Sequence, residues 1–344
     1  MLVAAACAVA ISSADATPVG DALQRPALLV RQAERSVLLA LAHAGQGIVA
    51  VGERGVIVRS EDQGKTWRQM PCPVSVSLTM VRFADAEHGV AVGHGGTVLT
   101  TQDGGRNWQV RLNGTQLSAI ALRDAVNDAQ RTEAARLAAD GPDKPFLDVL
   151  LWDARHLLAV GAYGLAFYSP DGGATWQSWM GRLPNPRGMH WYVARRQDQS
   201  VLLAGEQGLL AQSDDGGKTF HSMPSPYRGS WFSAELQPGG RLTLVGLRGN
   251  VWQSSDAGRR WVAIPTPNAA SILASAQTPA GDIVLATQAG QMLRLQGQRV
   301  TPVNTTPLPT PAGILPLTND QWLAVGVAGV VPVPAFAQVQ GAQP

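Results

Sequence analysis

The sequence predicts an all-β fold, a seven-bladed β-propeller of four-stranded blades with Asp-box turns and a helical insertion between blades 2 and 3. Three observations carry this. One polar turn recurs five times, a second turn bounded by glycines recurs seven times, and the second repeats about every 40 residues, the length of one blade.

The polar turn runs Ser-Glu-Asp-Gln-Gly-Lys-Thr-Trp over 60–67 and Thr-Gln-Asp-Gly-Gly-Arg-Asn-Trp over 101–108. It returns over 169–176, 213–220 and 254–261. The shared pattern, S-x-D-x-G-x-T-W, is the Asp box. Asp62, Asp103, Asp171, Asp215 and Asp256 are placed to accept hydrogen bonds from backbone N–H groups ahead of them. The glycine two residues on supplies a positive φ. Trp67, Trp108, Trp176 and Trp261 open the next strand and are expected to pack between blades. The motif is strong evidence for fold and weak evidence for chemistry.

The second turn, Gly-x-x-Gly between short apolar strands, starts at Gly52, Gly93, Gly161, Gly205, Gly246, Thr287 (replacing glycine) and Gly326, in steps of 41, 68, 44, 41, 41 and 39 residues. Glycine-flanked two-residue turns suit hairpins whose central residues need positive φ. In blade 2 the reading places an inner strand over 78–84, a second over 90–93, a third over 97–101 and a fourth from Trp108. The 68-residue step holds the insertion, 116–140. It is Ala-rich with mixed charge and is stopped by Gly141-Pro142. Leu117, Ile120, Ala121, Val126 and Leu137 form a stripe too thin for a buried helix, so helices on the propeller surface are expected.

The propeller is assigned to 26–335. The last repeat ends after its third strand, near 330–333, and residues 27–31 precede the first inner strand. Those residues are expected to supply the outermost strand of blade 7 and close the ring. Residues 1–16, a short apolar run followed by Ala14-Asp15-Ala16, read as a signal peptide. Export to the periplasm or cell envelope is the corresponding expectation. Residues 336–344 read as a flexible tail.

Formal net charge is +2, and only Lys65, Lys144 and Lys218 are lysines. Nothing here points to nucleic acid. The six histidines are scattered without metal-ligand spacing. Nucleophile-elbow, phosphate-loop and dinucleotide patterns are absent, so no catalytic residue, cofactor, metal or small-molecule substrate is assigned. Asp boxes also occur in sialidases, which makes a glycan-binding or glycan-cleaving propeller the alternative. It would need an arginine triad beside a Tyr–Glu pair. Tyr163 is the tyrosine on a suitable turn, while Glu53 and Glu206 lie on blades roughly opposite one another.

The repeated A-V-G-x-x-G-x-h-h-x-S-x-D-G-G-x-T-W unit resembles the photosystem II assembly and stability factors of cyanobacteria and chloroplasts, and it covers residues from about 37 to 333. The resemblance implies a non-enzymatic, seven-bladed, lumenal or periplasmic propeller that assists a membrane protein complex. Members in bacteria without photosystems accompany membrane exporters, and the insertion ending Asp140-Gly-Pro-Asp-Lys-Pro-Phe146 looks more like that branch. A membrane protein complex is therefore the expected partner, with an exporter of the RND type among the candidates.

Strand order sorts the loops. Asp-box turns point to one end of the ring, while the Gly-x-x-Gly turns and blade-to-blade loops open on the other. The second end carries Arg54, His94, Tyr163, Glu206 and Arg248 from the turns, and Arg187 and Arg228 from the loops. These seven form the candidate partner-binding face, with the four arginines as anchors, since Arg and Tyr are enriched at interface hot spots.

Overall fold

In the computed structural model, which describes residues 20–303 and 306–333, seven antiparallel sheets follow one another around a ring. Six have four strands; among the described residues the seventh has three. The inner strands are Leu38–Ala44, Leu78–Phe83, Phe146–Leu151, Trp191–Gln197, Trp231–Gln237, Ile272–Gln277 and Pro311–Pro316. Blade 2 continues through Gly89–Gly93, Thr97–Thr101 and Gln109–Leu112. Its second and third strands are buried at every position because both faces of the blade meet neighbours. Residues 1–19 and 334–344, which include the expected signal peptide and tail, lie outside the described residues.

The Asp boxes form by local hydrogen bonding. In blade 1, Gly64 N–H donates to Ser60 Oγ at 2.8 Å, and Thr66 donates from N to Asp62 Oδ1 at 2.8 Å and from Oγ1 to Oδ2 at 2.7 Å. Gly64 takes φ 84°. The backbone N–H groups of Asn107, Thr175, Thr219 and Arg260 donate likewise to Asp103, Asp171, Asp215 and Asp256. Trp67, Trp108 and Trp176 each turn back so that the indole N–H donates to the carbonyl of the box glycine.

Each box aromatic packs into the preceding blade. Trp108 of blade 2 joins Val49 and Val51 of blade 1, and Trp176 of blade 3 joins Val90 and Val92 of blade 2. Phe220 meets Leu158 of blade 3, and Trp261 meets Leu202 of blade 4. Trp67 of blade 1 packs against Leu323 and Val325 of blade 7, so the same contact closes the ring.

The expected closure by residues 27–31 does not form. That segment lies along the outer strand of blade 1, Arg68–Met70, instead of blade 7. Ala27 N–H donates to the Cys72 carbonyl at 3.0 Å. The Gln69 side chain accepts from Val30 N–H at 2.8 Å and donates to the Leu28 carbonyl at 2.9 Å. An unpaired strand edge satisfies an extended chain equally well on either blade, and the Gln69 amide supplies both bonds here.

The insertion is a helix pair, α1 Gly114–Asp124 and α2 Asp128–Ala139. Asn113 caps α1 in a capping box with Gln116, and Asn127 caps α2 by accepting from Gln130 N–H at 3.0 Å. Its base grips the blade 2 turn: Gly114 N–H donates to the Gly95 carbonyl, and Gly96 N–H to the Lys144 carbonyl. Its far side reaches blade 3, where Arg123 donates to the Trp176 carbonyl at 2.6 Å and Asp124 accepts from Ser178 N–H at 2.8 Å. Leu117, Ala121, Ala134 and Leu137 are buried against Leu112, Phe146 and their neighbours. The expected stripe needs one correction: Val126 is 80 % exposed, and Ala134 takes its place in the buried set.

Candidate protein-binding face

The Gly-x-x-Gly turns are tied to the residue preceding each inner strand. Glu53, His94, Ala162, Glu206, Leu247 and Gln288 donate their N–H to the carbonyls of Val37, Ser77, Pro145, His190, Ser230 and Ser271, at 2.7–3.0 Å. This repeated bond puts the turns and the blade-to-blade loops at one end of the ring. The first glycine is extended there, and a Cβ on it would strike that same carbonyl. The second central residue has positive φ: Arg54 at 55°, Tyr163 at 56°, Gln207 at 51° and Arg248 at 57°, with Gly95 in blade 2. Side chains held in this region cost of order 1 kcal/mol each and cluster at functional sites.

Arg54, His94, Arg187, Arg228 and Arg248 are exposed, and Tyr163 is 45 % exposed. The guanidinium groups of Arg54, Arg187, Arg228 and Arg248 make no hydrogen bond or ion pair among the described residues. Arg59, Arg82, Arg106, Arg123, Arg131, Arg136, Arg195 and Arg294 are ion-paired, whereas Arg155, Arg241 and Arg259, at the Asp-box end, are as free as those four.

Glu206 is engaged. It is half-buried and holds His190, with Oε2 3.2 Å from both the His190 backbone N–H and Nδ1. Tyr163 lies against the same imidazole, ring centroids 4.7 Å apart, and its N–H points at Nδ1 at 3.3 Å. A ring unprotonated at Nδ1 accepts from Tyr163; one protonated there donates to Glu206. Lys144, paired with Asp140 at 2.9 Å, lies 5.6 Å over the Tyr163 ring. Tyr192 and Phe232 extend the aromatic row toward the tunnel. Burial and Glu206 push the Tyr192 hydroxyl upward.

The tunnel, about 530 Å³, carries a charge network that sequence reasoning did not find. Asp148, on the inner strand of blade 3, is wholly buried. It accepts from Arg82 of blade 2 at 2.9 and 3.1 Å, from Arg195 of blade 4 at 2.5 Å, and from the N–H groups of Val149 and Ala194. Burial pushes this carboxyl upward, but the two guanidinium groups outweigh it and hold it below the ordinary range. Glu235 of blade 5 accepts from Ser275 and Gln277 of blade 6. A sialidase-like site would gather three arginines on a substrate carboxylate; here the two that meet are occupied by Asp148. Glu206, which meets Tyr163 only through the imidazole between them, is engaged by His190. Among the described residues no group of three or more His, Cys, Asp or Glu could hold a metal ion. The His190 position was findable in principle, because it is the residue preceding an inner strand.

This architecture defines an Asp-box propeller, closed blade on blade, with exposed arginines and a tyrosine on the turns and loops of the end opposite the boxes. The family model described as photosynthesis system II assembly factor YCF48 matches residues 60–127 and 128–295, well over half of the chain. The chain belongs to that family. No curated protein matches its sequence. Among solved structures it is similar to YCF48 bound to D1 peptide, with 17 % identity, a TM-score of 0.64, and 88 % of this chain and 94 % of that one covered. It is also similar to YCF48 from Cyanidioschyzon merolae, at 14 % identity, TM-score 0.61, covering 86 % and 94 %. The WD40 β-propeller domain of Doa1 matches at 10 % identity and TM-score 0.61, covering 92 % and 97 %. At these identities the likeness is one of fold.

Proposed function

We propose that this chain is a non-enzymatic, exported propeller that binds a segment of a membrane protein and assists assembly or operation of its complex. The observation that carries the reading is the set of exposed side chains on the turns and loops of one end of the ring, Arg54, Arg187, Arg228 and Arg248 with His94 and Tyr163, of which Arg54, Tyr163 and Arg248 are held at positive φ. Guanidinium groups recognise carboxylates and carbonyls bidentately and stack on aromatic side chains. Family membership supports an assembly role, and YCF48 bound to D1 peptide is a precedent for holding a peptide on this fold. The leader-like residues 1–16 support export to the periplasm or envelope. Either a photosystem or an exporter of the RND type fits the partner class.

The test is a pull-down with tagged mature protein from detergent-solubilised membranes of its own organism, beside a variant carrying R54A, R187A, R228A and R248A. Stoichiometric capture of a membrane protein by wild type, lost in the folded variant, is the expected outcome. Equal capture by both would sink the face assignment, and empty eluates from both would count against the assembly reading and call for a glycan array.

A further inference from the structure

The helix pair does more than cover blade 3. Between α2 and the loop over 180–188 lies an open cleft of about 630 Å³. Ala129 of α2 and Ala125 of the link between the helices line one side, with Asn185, Pro186 and Gly188 opposite, and Gln130 reaches across to Gly181 at one end. The volume suits a few residues of an extended segment. Val126, 80 % exposed at the lip, and the edge of Met180, whose other side packs against the cores flanking blade 3, give the cleft its apolar lining.

The charges around the cleft are unbalanced. Asp124 is already paired with Arg123 and the Ser178 N–H, and Glu133 with Arg136. Arg182 lies flat over Trp179, 4.3 Å from its centroid, and donates to the Lys218 carbonyl. Arg187, on the loop wall, is exposed with no partner among the described residues. The acids are therefore neutralised from within, and the remaining demand is for an anion at the Arg187 end. Tyr163 lines the same cleft, which joins it to the binding face.

We infer that this cleft is a docking site for an extended protein segment that sets an apolar side chain against Val126 and Met180 and a nearby Asp or Glu on Arg187. The inference rests on the protein-binding reading and locates it on the insertion. It makes the helix pair part of the recognition surface, with specificity for acidic-apolar sequence.

The test is selection of a phage-displayed library of random dodecamers on the wild-type chain, followed by fluorescence anisotropy of the enriched peptides. Three variants are compared. A129W fills the cleft from an exposed helix position, R187E reverses the charge on an exposed loop, and K65A/R241A removes two exposed charges from the opposite end of the ring. Thermal unfolding checks that each variant folds, and R187E keeps the test decisive if A129W does not. The expected result is peptides pairing Leu, Ile, Val or Phe with Asp or Glu, whose affinity falls at least tenfold in A129W and R187E and is unchanged in K65A/R241A. Peptides that bind all variants equally, or that are lost only in K65A/R241A, would overturn the cleft while leaving the protein-binding reading intact. No enrichment on wild type would also overturn the cleft, with the membrane pull-down deciding the broader reading independently.

Discussion

Asp148→Asn is a nearly isosteric change that removes one charge from the middle of the ring. The wild-type carboxylate is fully buried and accepts five hydrogen bonds, three of them from Arg82 and Arg195. An asparagine offers one acceptor oxygen, and its NH₂ would face donors. The two guanidinium groups would also confront each other without a counter-ion. Removing one partner of a buried pair costs about 3–5 kcal/mol. Arg82 and Arg195 keep 30 % and 19 % exposure, so tunnel water screens part of the loss and the lower end, about 3 kcal/mol, applies. Urea unfolding followed by tryptophan fluorescence should show a lower midpoint with unchanged slope. A D148N protein within about 0.5 kcal/mol of wild type, the range of an ordinary surface substitution, would refute the claim that this network ties blades 2, 3 and 4 together.

Gly205→Ala should destabilise by about 1–3 kcal/mol, because the new Cβ meets the His190 carbonyl at a turn whose φ needs no glycine; an unchanged melting midpoint would contradict the close approach. The Thr66 N–H and hydroxyl hold the Asp62 carboxyl down to about 2, from an ordinary 3.8, and hydrogen bonds from Thr219 and Arg260 depress Asp215 and Asp256. Depressed carboxyls stabilise the fold above the ordinary value and lose that contribution as pH falls through the folded one. Stability should therefore hold down to pH 4 and drop between about 4 and 2, with a shallower drop in Asp62→Asn; identical acid profiles for variant and wild type would count against the box geometry. Burial pushes the Cys72 thiol up to about 11, so a thiol reagent should label it at pH 8 only after denaturant is added. Rapid labelling of the folded chain would show that the outer part of blade 1 opens.

The repeats were legible because what makes them is local. The bonds made by the box Ser and Asp side chains span five residues or fewer, so Ser60, Asp62, Gly64 and Thr66 carry their own structure. Choices among distant partners were not legible. Residues 27–31 are extended with either neighbour, and the Gln69 side chain, some 40 positions away, decides for blade 1. The burial of Ala134 and the exposure of Val126 follow from how the helix pair docks on blades 2 and 3, which a count of apolar residues does not encode. On the proposed face, Arg54, Arg187, Arg228 and Arg248 have no ion pair, while Glu206 is occupied by His190. Its partner His190 lies outside the turn, and Asp148 draws its arginines from two other blades.

Site-specific photocrosslinking bears most directly on the central claim that one end of the ring holds a membrane protein segment. A photoreactive residue would replace Arg54, Arg187 or Arg248 at that end, and Lys65 or Arg260 in the Asp-box turns at the other, in cells of the source organism. Crosslinks to one membrane protein from the first set, with none from the second, are the predicted result. Adducts from the Asp-box end alone, or equally from both ends, would contradict the account.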